Sequence, residues 1–181
     1  MALSAFTILR IALLVPWLAA LCVMDGRSRR LPNALTLGGL AVALAVDFGE
    51  GGGGGLLDGL EAAGLCVLFL LLPFLVRAAG AGDLKMLAAC GAFVGARQVL
   101  PLLLAVSFAG FFVALVMLAA RKVGAARMKH AFRSLFDWRY DRAAGKAALP
   151  PREDERGRVP FAFAIAAGTA AVIARELFNA V

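Results

Sequence analysis

Six apolar runs, separated by short polar stretches, occupy most of this 181-residue chain. They cover about residues 3–24, 34–48, 56–77, 84–94, 98–120 and 160–174. Hydrophobic residues make up 62% of the sequence and charged residues only 17%, whereas a soluble domain is roughly half apolar and a quarter charged. Because so few polar groups cannot cover a water-soluble fold, the pattern predicts an all-α, polytopic membrane protein with about six transmembrane helices.

The first apolar run and a run of glycines each need a separate interpretation. The first run has the apolar core of a signal peptide, but more apolar runs follow it, and three arginines lie where a mature chain would begin. We therefore interpret the first run as a retained span. Five consecutive glycines at 51–55 follow the second run, and a run of this length predicts a flexible turn between the second and third helices.

Lys and Arg residues are concentrated in alternate loops. The loops after the first, third and fifth runs carry 3, 2 and 11 of the 19 Lys and Arg residues, and the remaining three are Arg10, Arg97 and Arg175. Positively charged loops face the cytoplasm, so this distribution predicts that both termini lie outside. The net charge of +7 is thus typical of membrane topology and does not indicate a nucleic-acid partner.

The longest of these loops is a cytoplasmic basic loop at about residues 121–159. Large apolar residues recur in it at helical spacing, which predicts an amphipathic helix lying on anionic lipid headgroups, with a solvated loop as the alternative. The residues are Met128, Phe132, Leu135 and Phe136.

Two aspartates lie at the predicted cytoplasmic ends of apolar runs. Asp25 closes the first run and Asp83 opens the fourth, and an ionisable residue in such a place is costly enough to predict a function. The fourth helix would be about 20 Å long, against a hydrocarbon core of about 30 Å, so Asp83 is expected near the interface in a partly enclosed, wet site. Because both aspartates belong to the same membrane face, they can meet if the first and fourth helices pack together.

Two carboxyl groups a few ångströms apart share a proton, because both cannot ionise cheaply in a low-dielectric site. Such a pair can hydrolyse an amide by general acid–base catalysis. The chain has one histidine, His130 in the basic loop, and no GxSxG or CxxC motif, so no serine triad, zinc site or disulfide framework is indicated.

The alternative interpretation of Asp83 is a helix N-cap that follows a glycine turn. Gly80 and Gly82 would let another backbone approach closely.

Three segments resemble the motifs of one family. The segment GAGDLK at 80–85, followed by LAACG at 87–91, is similar to the second aspartate motif of type IV prepilin peptidases. Asp25 with RLPN at 30–33 resembles their first aspartate region, and VPFA at 159–162 with Gly168 resembles the start of their last span, although Ala162 replaces a glycine common there.

The resemblance implies a single membrane-embedded peptidase domain over residues 1–181, a GxGD-type aspartic endopeptidase with catalytic Asp25 and Asp83. It would cleave prepilin or pseudopilin leaders at the cytoplasmic face of the bacterial inner membrane, in pilus biogenesis and protein secretion. Membrane lipids and these substrates are the implied partners, contact with the pilus assembly machinery is open, and no metal or cofactor is implied. The residues expected to support the active site are Gly80, Gly82, Lys85, Pro32, Asn33 and Pro160.

The departures from the family pattern refine this expectation. Longer members carry an N-terminal cytoplasmic region with CxxC pairs and methylate the new pilin terminus, whereas this sequence starts directly with the first run and has no such pair. It therefore resembles the short Tad/Flp form, for which no methyltransferase activity is expected.

Two other functions remain open. A non-enzymatic membrane assembly or transport component could use Asp25 and Asp83 for proton or cation binding, although the ionisable residues cluster at the faces rather than along a path. A related aspartic protease could act on preflagellin-like substrates.

The role of Lys85 is also open. It could lower the pKa of an aspartate, contact the substrate, or extend its ammonium group to the lipid headgroups.

Overall fold

The computed structural model describes residues 5–28, 31–75, 79–119 and 161–180, and within these ranges the chain is helical and contains no strand. The described part of each of the six apolar runs lies in a helix. Pro160, the basic loop and its predicted amphipathic helix lie outside the described residues. The helices are α1 (Ala5–Ser28), α2 (Asn33–Leu75), α3 (Ala81–Val94), α4 (Val99–Ala119) and α5 (Phe161–Ala180), with a 3₁₀ turn at Ala96–Gln98 before α4.

The all-α fold class is therefore confirmed for the described residues. Four helical segments are long and apolar enough to cross a membrane, namely α1, α2, residues 96–117 and residues 161–179. The number of spans and the location of the termini stay predictions, as does the extent of the peptidase domain.

The glycine run after the second apolar segment differs from the predicted flexible turn. Residues 33–51 and 53–75 are both helical, and only Gly52 leaves the helical conformation, with φ 57° and ψ −139°. A Cβ built on Gly55 would lie 2.2 Å from the carbonyl oxygen of Asp47, and one built on Gly59 would lie 3.1 Å from Leu44 Cδ2. The glycines thus let the chain turn back on itself, because any larger side chain would separate the two halves of α2.

Trp17 joins α1 to the first half of α2 and to α3. Its indole N–H donates to the carbonyl oxygen of Leu35 over 2.8 Å, and its ring lies 6.1 Å from that of Phe93. The indole also covers Gly39, where a Cβ would lie 2.3 Å from Trp17 Cε2. A small residue at this position is what lets two helices approach closely.

We expect Gly39→Ala to lower the stability of the protein by about 1–3 kcal/mol, because the new methyl group would displace the Trp17 ring from a filled interface. Thermal unfolding of the purified protein in detergent measures the effect. Gly38→Ala is the matched control, since a Cβ on Gly38 meets nothing within 4 Å and alanine is the better helix former. Equal melting temperatures for the two variants would contradict this interpretation of the interface.

Helix α3 lies at the centre of the molecule. All of its residues from 86 to 94 are buried, so it has no face left for solvent or lipid. A Cβ on Gly91 would lie 2.6 Å from Cys66 Sγ and 2.9 Å from the carbonyl oxygen of Ala62, which shows how closely α3 packs on the second half of α2. A helix too short to span the hydrocarbon core alone is thus enclosed by longer ones.

Helices α4 and α5 pack against each other through another glycine. A Cβ on Gly168 would lie 2.6 Å from the backbone nitrogen of Val106, so the two helices almost touch there. The opposite face of α4 carries Phe108, Phe111 and Phe112, which are exposed by 73%, 70% and 65%. Such an apolar surface is larger than a soluble monomer exposes and suits contact with lipid.

Candidate active site

Asp25 lies near the end of α1 on the face of that helix that points into the core. Leu14, Leu18, Leu21 and Asp25 recur at helical spacing, and all four are buried. The aspartate is only 7% exposed. The apolar stripe of α1 therefore ends in a buried carboxyl group.

Asp83 lies in the first turn of α3. The extended residue Gly80 immediately precedes the helix, and its backbone N–H donates to Asp83 Oδ2 over 2.9 Å. A carboxylate at this position also interacts favourably with the positive end of the helix dipole. The capping role considered for Asp83 is thus present, but from inside the first turn rather than from the residue before the helix.

The glycine-aspartate segment contacts the RLPN segment directly. A Cβ on Gly82 would lie 2.8 Å from Leu31 Cβ, so only glycine leaves room for this contact. Next to it, Lys85 Nζ donates to Asn33 Oδ1 over 2.7 Å. Two segments about 50 residues apart in sequence therefore meet at one end of the helical bundle.

Pro32 lies at the start of α2, where its carbonyl oxygen accepts hydrogen bonds from the backbone N–H groups of Leu35 and Thr36, each over 3.1 Å. The Thr36 hydroxyl donates to the same oxygen over 3.3 Å. These bonds form the first turn of α2. Pro32 therefore supports the backbone on which Asn33 is presented to Lys85.

The start of α5 lies against the end of α1. Cys22 Sγ donates to the carbonyl oxygen of Ala162 over 3.7 Å, and a Cβ on Gly26 would lie 3.6 Å from Phe163 Cζ. The third motif therefore approaches the helix that carries Asp25. The second and third motif segments therefore each contact the first aspartate region or the end of α1 beside it.

This arrangement can support acid–base chemistry on a carbonyl compound. Asp25 lies near the end of α1 and Asp83 in the first turn of α3, and carboxyl groups are among the side chains that act as general acids and general bases. Among the described residues, no group of three or more His, Cys, Asp or Glu side chains is placed to hold a metal ion.

A second polar cluster, at the other end of α1, was missed in the sequence analysis. Arg10 Nη2 lies 2.6 Å from Asp47 Oδ1 and 2.7 Å from Glu50 Oε2. Asp47 is 3% exposed, and its other carboxylate oxygen contacts Gly59. The sequence could have indicated this cluster, because one arginine and two acidic residues lie at matching membrane depth in two consecutive antiparallel helices. Such an arrangement predicts an ion pair.

Comparison with known proteins agrees with the motif reading. The family model described as "Type IV leader peptidase family" matches residues 12–115, which is more than half of the chain and includes both aspartates but not α5. No curated protein and no solved structure was found to match significantly. A prepilin leader peptidase-type function is thereby supported at the level of the family, and the chain belongs to the type IV leader peptidase family.

Proposed function

We propose that this protein is an aspartic endopeptidase of the bacterial inner membrane that cleaves the leader peptides of Flp-like prepilins or pseudopilins. The observation that carries the proposal is the contact between the two aspartate-bearing segments, through Gly82 with Leu31 and Lys85 with Asn33. Family membership supports the substrate class.

In the proposed mechanism Asp25 and Asp83 act as a general acid–base pair on a water molecule. The charged carboxylate takes a proton from water as the oxygen adds to the scissile carbonyl carbon, and the protonated carboxyl group donates to the carbonyl oxygen. The tetrahedral intermediate then collapses and the C–N bond breaks, as the aspartate protonated in the first step gives its proton to the amine nitrogen. The other aspartate takes a proton from a hydroxyl group of the intermediate, so both return to their starting states and no metal or covalent intermediate is required.

The length of α3 supports cleavage near the membrane surface. Its 14 residues extend about 21 Å at 1.5 Å per residue, against a hydrocarbon core of about 30 Å. With the six-span topology, which rests on the distribution of Lys and Arg, Asp83 would lie close to the cytoplasmic interface. A prepilin passes from its basic leader into its hydrophobic helix at this depth.

The direct test is co-expression with a Flp-type prepilin in a host that lacks prepilin peptidases. We expect a faster-migrating product whose mass corresponds to loss of the leader, and an unchanged prepilin in cells with the empty vector. An unprocessed prepilin in membranes that contain the folded enzyme would contradict the proposal, once several Flp-type and pseudopilin substrates had been tried.

A further inference from the structure

The hydrogen bond between Lys85 and Asn33 joins two helix starts that are far apart in sequence. Lys85 belongs to the second turn of α3 and Asn33 is the first residue of α2, and the donor and acceptor are 2.7 Å apart. A second contact, between Gly82 and Leu31, lies beside the bond. The first turn of α3 is thus held against the chain that leaves α1.

The same geometry limits what Lys85 can do for Asp83. Residues two apart on a helix do not face each other. Asp83 Oδ2 accepts from the Gly80 N–H while the Lys85 ammonium donates to Asn33. Each of the two side chains therefore has a hydrogen-bond partner outside the pair.

We infer that Lys85 and Asn33 form a positioning clamp that holds the Asp83 turn in register with the end of α1, where Asp25 lies. The inference rests on the proposed function for its catalytic consequence. The clamp influences the separation of the two carboxyl groups, because Asn33 follows Asp25 by eight residues in the sequence and Lys85 lies within one helical turn of Asp83. Lys85 and Asn33 are positioning residues and do not react with the substrate.

The test compares the rate of prepilin cleavage by purified enzyme in detergent for a set of single and double variants. Lys85→Met removes the donor and keeps the apolar stem. Asn33→Ser keeps a residue suited to a helix start but is too short to reach Lys85. For each variant we expect kcat to fall about tenfold with KM unchanged, which corresponds to the loss of one hydrogen bond to a charged group. The double variant is expected to lose no more than either single one, since both remove the same bond.

Two conservative variants provide the rescue. Lys85→Arg keeps a donor and Asn33→Asp keeps an acceptor, so both should cleave within about twofold of the wild-type rate. A double variant whose losses multiply to about 100-fold would overturn the clamp. A slow Lys85→Met variant together with a fully active Asn33→Ser variant would also overturn the clamp, because that pattern indicates that Lys85 contacts the substrate.

A measurement without substrate separates the clamp from the proposed function. Hydrogen exchange of the backbone amides at residues 31–36 and 80–86 should quicken in Lys85→Met and in Asn33→Ser, and stay at wild-type rates in the two conservative variants. Unchanged exchange in the first two would overturn the clamp. If the wild-type enzyme cleaves no prepilin, the proposed function fails, while the exchange rates still decide whether the clamp exists.

Discussion

Replacing Asp83 with asparagine is expected to lower prepilin cleavage by more than about 100-fold while leaving the protein folded, and Asp25→Asn is expected to do the same. Removal of a group that transfers a proton in the transition state typically costs 10²–10⁴-fold in rate. An amide cannot take a proton from water or exist in a charged form, so either replacement removes half of the proposed acid–base pair. Cleavage in membranes, followed by the mass of the product, gives the measurement.

The capping bond makes Asp83→Asn more informative than Asp83→Ala. Asparagine keeps an oxygen that can accept from the Gly80 N–H, which is now bonded to Asp83 Oδ2 over 2.9 Å. Asp83→Ala loses the cap as well, which costs about 1 kcal/mol of stability. An inactive Asp83→Asn protein with a wild-type melting temperature would therefore assign the loss to chemistry.

Asp58→Asn is a matched control for both aspartate variants. Asp58 Oδ2 accepts the Ala96 N–H over 3.0 Å at an exposed helix end, and asparagine can accept there too. We expect this variant to cleave prepilin at the wild-type rate. Normal processing by either Asp25→Asn or Asp83→Asn would show that the proposed pair is wrong.

Replacing Arg10 with leucine is expected to destabilise the protein by about 3–5 kcal/mol, because it leaves a buried carboxylate without its ionic partner. Asp47 is 3% exposed and 2.6 Å from Arg10. Asp47→Leu should cost less, since Arg10 keeps Glu50 at 2.7 Å. Thermal unfolding in detergent measures both variants.

The double variant Arg10→Leu/Asp47→Leu should be more stable than Arg10→Leu alone. An apolar pair of similar size replaces a buried ion pair at little cost, and the remaining Glu50 side chain is 38% exposed and can be hydrated. If the stability losses of the two single variants added up in the double variant, the two residues would act independently and the ion-pair interpretation would be wrong. Leader cleavage is expected to follow stability in this series, since the ion pair lies at the opposite end of α1 from Asp25.

The placement of the candidate site could be predicted from the sequence only in part. Asp25 and Asp83 stand out because charge in an apolar run is rare, and the alternation of basic loops predicts one membrane face for both. Their family motifs could also be read directly. The capping bond from Gly80 and the bond from Lys85 to Asn33 could not be read, because each depends on side-chain directions at the ends of helices.

The glycine run illustrates the same limit within the fold. Five glycines predict a flexible break, since glycine is a poor helix former. The structure keeps them helical apart from Gly52, because Gly55 and Gly59 are the places where the two halves of α2 touch. Contact between helices thus overrides local propensity at this point.

The sequence by itself determined the all-helical class and the location of the apolar segments, because transfer of apolar side chains from water depends on composition along a single run. Only the tertiary structure decided which residues pair across helices, namely Arg10 with Asp47 and Lys85 with Asn33. It also decided that residues 86–94 of α3 are buried. Which residues pair depends on how each helix is rotated and shifted against its neighbours. Close contacts such as the one at Gly39 set this register. The hydropathy of either helix alone does not predict where such contacts form.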